Sequence, residues 1–144
     1  MRGLLFYMCY NYFMTHTCKA LVLHCIDFRL GQPIKKYLEG QNLLGDADIV
    51  AVAGAAKNLV SPASQAESDF VMKQIEISRR LHHIQEIILI NHTDCGAYGG
   101  NDELVASDLP ESAAKINEKF PDLKIKMVLA KIDSQNNINF ENIN

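Results

Sequence analysis

The sequence predicts an α/β fold, a mostly parallel β-sheet of about four to five strands flanked by helices. Three observations predict it. Four short runs rich in Val, Ile and Leu are almost continuously apolar, as strands covered on both faces are. The segments between them carry apolar residues at helical spacing. The two kinds of segment alternate along the chain, which is the pattern of βαβ units.

The strand runs are Lys19–His24, Asp48–Ala53, Glu86–Asn91 and Lys124–Lys131. The first helical segment is Gln32–Leu44, with Ile34, Tyr37, Leu38 and Leu44 near one face and Gly45 placed to stop it. The second, Pro62–Leu81, has Ser61 as a cap, Pro62 in its first turn, and Phe70, Ile75, Ile77 and Leu81 as apolar positions. A third is expected within Asp108–Phe120, ahead of Pro121. The domain reading is an N-terminal arm over residues 1–14, one α/β domain over 15–133, and an Asn-rich polar tail over 134–144 that is expected to fray.

A chain of 144 residues, 48% apolar and 22% charged, can bury a core without disulfides. A net charge of −3 offers no basic patch for nucleic acid or an anionic membrane. No stretch reaches the roughly 18 apolar residues of a membrane span. Arg2 and the apolar run after it resemble the start of a secretory signal, but Asn11 and three tyrosines interrupt the run and no small-x-small cleavage site follows. Cys9, Cys18, Cys25 and Cys95 are too few and too irregular for a disulfide scaffold. A cytoplasmic, reducing setting is therefore expected, where cysteines serve as ligands, catalytic groups or core fillers.

In an open parallel sheet, ligands gather at the carboxyl ends of the strands. The residues that can do chemistry fall there. Cys25-Ile26-Asp27-Phe28-Arg29 follows the first strand, Ala53-Gly54-Ala55 the second, and His92-Thr93-Asp94-Cys95-Gly96 the third. In an extended stretch Cys25, Asp27 and Arg29 would face one side. His92 and Cys95, three apart, can be presented by one turn to a single ion. Two thiolates and an imidazole suit zinc, and three protein ligands leave a fourth tetrahedral position for water. Read singly, Cys25 would be a core cysteine and Asp27–Arg29 an ordinary ion pair; read together they form a site. Asp94 is expected to cap the following turn through its side chain. Gly54 would let the backbone pass beside the pocket, and Gly96, Gly99 and Gly100 would permit a tight turn and an anion cradle. His24 is expected in the core or at a subunit interface, and His82 and His83 at a helix end, favouring its dipole. His16 is a proton-relay candidate and, with Cys18, a second possible ligand pair.

The motifs Cys25-x-Asp27-x-Arg29 and His92-x-x-Cys95-Gly96 together resemble those of the β-class carbonic anhydrases, over roughly Thr15 to Asp133. The turn Ala53-Gly54-Ala55-Ala56 lacks the Arg-Asn pair often found there in that family. The resemblance implies that Cys25, His92 and Cys95 hold Zn2+ and that Asp27 and Arg29 are catalytic; Gly54 and Gly96 are the residues expected to line the substrate. The resemblance also implies reversible hydration of CO2 to bicarbonate and a homodimer or higher homo-oligomer. Two other readings keep the same site: hydrolysis of carbonyl sulfide or carbon disulfide, and a non-catalytic zinc-binding module.

Overall fold

The computed structural model describes residues 16–144; the arm expected over residues 1–14 lies outside the described residues. Five strands, β1 (Ala20–His24), β2 (Ala47–Ala51), β3 (Glu86–His92), β4 (Lys124–Ile132) and β5 (Ile138–Ile143), form one sheet in the order β2-β1-β3-β4-β5. The pairs β1–β2, β1–β3 and β3–β4 are parallel, and β5 closes the edge antiparallel to β4. All of β3 except Glu86 is buried, as is β1 up to His24. These central strands are covered on both faces, which is what their unbroken apolar runs predict. The helices are α1 (Gly31–Gly40), α2 (Lys57–Val60), α3 (Gln65–Leu81) and α4 (Asp102–Lys119). Of these, α4 packs on β3 and β4, and α3 lies against β2.

Several boundaries differ from the sequence expectation for local reasons. The first helix stops at Gly40, not at Leu44, because Asn42 takes a left-handed φ of 56° and turns the chain back. Leu43 is thereby tucked into the core while Leu44 stays exposed. The helix expected over Pro62–Leu81 is α3, which starts at Gln65, with Ser64 in place of Ser61 at its N-cap. Ser64-x-x-Glu67 is a capping-box pattern, and the Glu67 carboxylate accepts a 2.7 Å bond from the Ala63 N–H. That helix buries the face of Val71, Ile75 and Ser78, and leaves Phe70 exposed. The helix expected within Asp108–Phe120 is α4, which begins earlier, at Asp102, because the Asn101 side chain accepts from the Leu104 N–H and caps it. Asp102 and Glu103 then suit the positive end of the helix dipole.

Two strands also correct their expected character. The second is a sheet edge, with Ile49 half exposed, although its composition reads as a buried strand. The tail expected to fray instead supplies β5. Asp133 accepts hydrogen bonds from the Gln135 and Asn137 N–H groups and forms the turn that returns the chain. Ile138, Phe140 and Ile143 then pack against the core from among the asparagines.

Candidate metal centre

Register sets the centre. Because β1 and β3 are parallel neighbours with His24 opposite Ile90, their carboxyl ends emerge side by side. Cys25 therefore leaves β1 beside the last residues of β3, where His92 ends the strand. Cys95 arrives by a short loop in which Asp94 takes a left-handed φ of 55°. The Cys95 carbonyl then accepts from the Tyr98 and Gly100 N–H groups, starting the 3-10 turn Gly96–Tyr98. Cys25, His92 and Cys95 are all buried, and one ligand atom from each lies within 4.8 Å of the other two.

Hydrogen bonding prepares the donors. His92 Nδ1 is 2.8 Å from the Thr93 carbonyl oxygen, so that nitrogen carries the proton and donates it. Thr93 is itself held by β4, through its N–H to the Ala130 carbonyl and its Oγ1, which accepts from the Ile132 N–H. The other ring nitrogen, Nε2, faces the two thiols and is buried without a hydrogen-bond partner. A buried polar atom left unsatisfied is costly unless something fills its place. The imidazole tautomer, the free Nε2 and the two buried thiols are what a thiophilic divalent cation needs. The Gly54 N–H donates to Cys25 Sγ at 3.3 Å. Gly54 holds a φ of +77°, and a Cβ there would sit 3.0 Å from the Ala97 Cβ. Only glycine brings this N–H to the sulfur without strain.

The two thiols share a proton unequally. A hydrogen bond from Cys95 pulls the Cys25 thiol well below its ordinary range, even against burial. The same hydrogen bond, with burial, pushes Cys95 up. A cation between them would replace that proton and leave both as thiolates.

Asp27 and Arg29 stand at the rim. They face the site as expected, but not from an extended stretch. Asp27 is the N-cap of the 3-10 turn Phe28–Leu30, and its Oδ1 accepts the Arg29 N–H at 2.9 Å. The turn swings Arg29 back, and the guanidinium makes a two-pronged contact: Nε to Oδ1 at 3.0 Å and Nη2 to Oδ2 at 2.8 Å. The Arg29 hydrogen bonds hold the Asp27 carboxyl down to about 2. Asp27 Oδ2 lies 3.8 Å from His92 Nε2, too far for a hydrogen bond but close enough to border any ion seated there. Arg29 Nη1 also pairs with Asp94 Oδ2 at 2.8 Å. Asp94 therefore clamps Arg29 rather than capping the next turn; Asp102 receives the Asp94 N–H instead.

Gly96 opens the turn after Cys95, and a Cβ there would meet nothing within 4 Å. His24 is half-buried, with Nδ1 on the Cys25 carbonyl oxygen at 2.7 Å. His16 lies at the opposite end of the sheet against His82, so it is not placed to relay protons from this centre.

A buried network behind the centre was not anticipated. Asn91 accepts from the Ala56 N–H and donates to the Val105 carbonyl oxygen and the Tyr98 hydroxyl. Tyr98 donates in turn to Asp108 Oδ2 at 2.9 Å. One amide thus joins the turn after β2, the end of β3 and the start of α4. Its signal was an Asn at the end of an otherwise apolar strand.

A family described as "Putative carbonic anhydrase" matches residues 15–140. The chain belongs to this putative carbonic anhydrase family. This carbonic anhydrase homologue is 31% identical over 129 residues to an uncharacterized protein of Rickettsia bellii (strain RML369-C), covering 79% of this chain and 77% of that protein. It is likewise 31% identical over 127 residues to an uncharacterized protein of Rickettsia conorii (strain ATCC VR-613 / Malish 7), covering 79% and 68%. Its fold is similar to that of the carbonic anhydrase from Streptococcus mutans, with a TM-score of 0.59 at 20% identity over 91% of this chain and 84% of that one. It is also similar to the β-carbonic anhydrase CafA of Aspergillus fumigatus, with a TM-score of 0.58 at 14% identity over 98% and 80%. Among the described residues, no helix is long and apolar enough to cross a membrane.

Proposed function

We propose that this chain is a zinc-dependent carbonic anhydrase, catalysing the reversible reaction of CO2 and water to bicarbonate and a proton. The observation that carries the reading is the bare, buried Nε2 of His92 facing two buried thiols. Zinc held by Cys25, His92 and Cys95 supplies Lewis acidity toward water at neutral pH.

The remaining work belongs to the chain's own groups. Asp27 stays ionised at any working pH, and its Oδ2 accepts a hydrogen bond from the attacking water, orienting the oxygen lone pair toward CO2. Arg29 fixes the Asp27 rotamer and, by occupying both carboxylate oxygens, turns Asp27 away from the metal position. Gly54 steadies the Cys25 sulfur through its N–H. Gly96 keeps the approach past Cys95 free of a side chain, leaving room for bicarbonate. The free thiols of Cys18, Cys25 and Cys95 suit a reducing, cytoplasmic setting. Ile26 and Phe28, 63% and 92% exposed on either side of Asp27, suit a homodimer contact beside the site.

The test combines metal content, turnover and mass. Relative to wild type, Cys95→Ser should lose one zinc per chain by elemental analysis. Asp27→Asn should keep its zinc and lose most CO2 hydration in stopped flow. Full zinc with no hydration above buffer in the wild type would favour the non-catalytic module, and turnover of carbonyl sulfide alone would favour the sulfur substrates. Light scattering should give a dimer that Phe28→Asp shifts toward monomer; a wild-type monomer would remove the interface.

A further inference from the structure

A second cluster of donor atoms lies at the other end of the sheet. Cys18 precedes β1, Asp48 sits near the start of β2, and His82 follows the last turn of α3. One ligand atom from each lies within 4.8 Å of the other two. The backbone holds them there: the Cys18 N–H donates to the His82 carbonyl, the Lys19 N–H to the Asp46 carbonyl, and β1–β2 pairing sets Leu21 opposite Asp48. Asp48 Oδ2 accepts from Ser78 Oγ and is 2.7 Å from His82 Nδ1. The His16 ring rests against that of His82, with centroids 4.9 Å apart. The His82 and Asp48 side chains are 26% and 30% exposed, so an ion can reach them from solvent.

We propose that Cys18, Asp48 and His82 form a second transition-metal site that takes zinc in preference to calcium or magnesium. A thiol, an imidazole and a carboxylate favour zinc and its late first-row neighbours and disfavour calcium and magnesium, which take oxygen ligands. In a tetrahedral zinc site, donor atoms bonded at 2.0–2.3 Å stand about 3.4–3.6 Å apart. The observed cluster, with one pair at 2.7 Å and all within 4.8 Å, reaches that geometry by side-chain shifts of about 1 Å. Ser78 can keep its bond to Asp48 and orient the carboxylate as an outer partner of a ligand. Burial and the adjacent Asp48 push the Cys18 thiol up, so binding releases a proton and weakens in acid. The ion would pin the chain entering β1 to the end of α3. A five-residue strand and its flanks separate it from the Cys25 centre by roughly 20 Å, too far for the two sites to share a ligand.

The test is a zinc titration of chelator-stripped full-length protein, read by elemental analysis after desalting. Wild type should hold one more zinc per chain than Cys18→Ser/His82→Gln, whatever the occupancy of the Cys25 centre. Equal zinc content in the two folded proteins would overturn the site. Should the double variant fail to fold, the wild-type protein still decides. Zinc should block alkylation of Cys18, followed by mass of its peptide, and calcium should not. Alkylation of Cys18 at the same rate with and without zinc would overturn the proposal.

Discussion

Asp27 shows how one short turn can tune a residue. By capping the Phe28–Leu30 turn it brings Arg29 onto its own carboxylate, and the pair is formed by residues two apart. The Asp27 carboxyl sits at about 2 in place of the usual 3.8, so the native state takes up this proton less readily than the unfolded chain. Its stabilisation is therefore complete only above about pH 5 and is lost as the pH falls toward about 2. In metal-free protein, denaturant melts should show the stability gap between wild type and Asp27→Asn closing over that window. A gap that stays constant from about pH 5 to about pH 2 would mean the ion pair contributes nothing to folding. The same logic of partners explains His92. Its Nδ1 is tied to Thr93, which β4 holds, so Nε2 alone is left to the site.

At the scale of elements, the centre depends on three connections meeting at one strand end. Asn91 makes the join, with one acceptor bond from the turn after β2 and donor bonds to α4 and Tyr98. Its side chain is buried, so truncation leaves the Ala56 N–H and the Val105 carbonyl without partners. Asn91→Ala should lower unfolding stability by about 2–4 kcal/mol, measured by urea denaturation with an unchanged slope. A loss below about 0.5 kcal/mol would show that water or backbone movement replaces the amide. Helix α3 makes a related point. Its buried stripe of Val71, Ile75 and Ser78 faces the sheet, and Ser78 at the end of that stripe is the residue that reaches Asp48.

For the whole molecule, β5 decides how the sheet ends. Without it, β4 would be an open edge carrying unpaired N–H and carbonyl groups, a template for association. The strand also brings Phe140 to within 4.8 Å of the Tyr37 ring, between centroids, and so links the sheet edge to α1. A chain ending at Asp133 should lose about 3 kcal/mol or more, and should aggregate on warming where the full chain melts reversibly. A truncated protein with unchanged melting temperature and solubility would show that β5 only decorates the edge. The opposite edge, β2, carries the exposed side chain of Ile49.

The α/β class, the strands β1, β3 and β4 to within a residue or two, and the grouping of Cys25, Asp27, Arg29, His92 and Cys95 are legible in the order of residues alone. Each of those rests on local signals: unbroken apolar runs, and chemistry placed just after them. The remaining features depend on which segments pack together. Strand order made β2 an edge, because periodicity reports how apolar a segment is and not which neighbours it meets. Pairing with β4 made a strand of the Asn-rich tail, since Ile138 and Phe140, alternating with polar residues, need a partner strand before their apolar face has anything to cover. Asp94 found Arg29 across 65 residues of sequence. Cys18, Asp48 and His82 came together for the same reason: groups far apart along the chain are juxtaposed by packing, and no local pattern encodes which of them will touch.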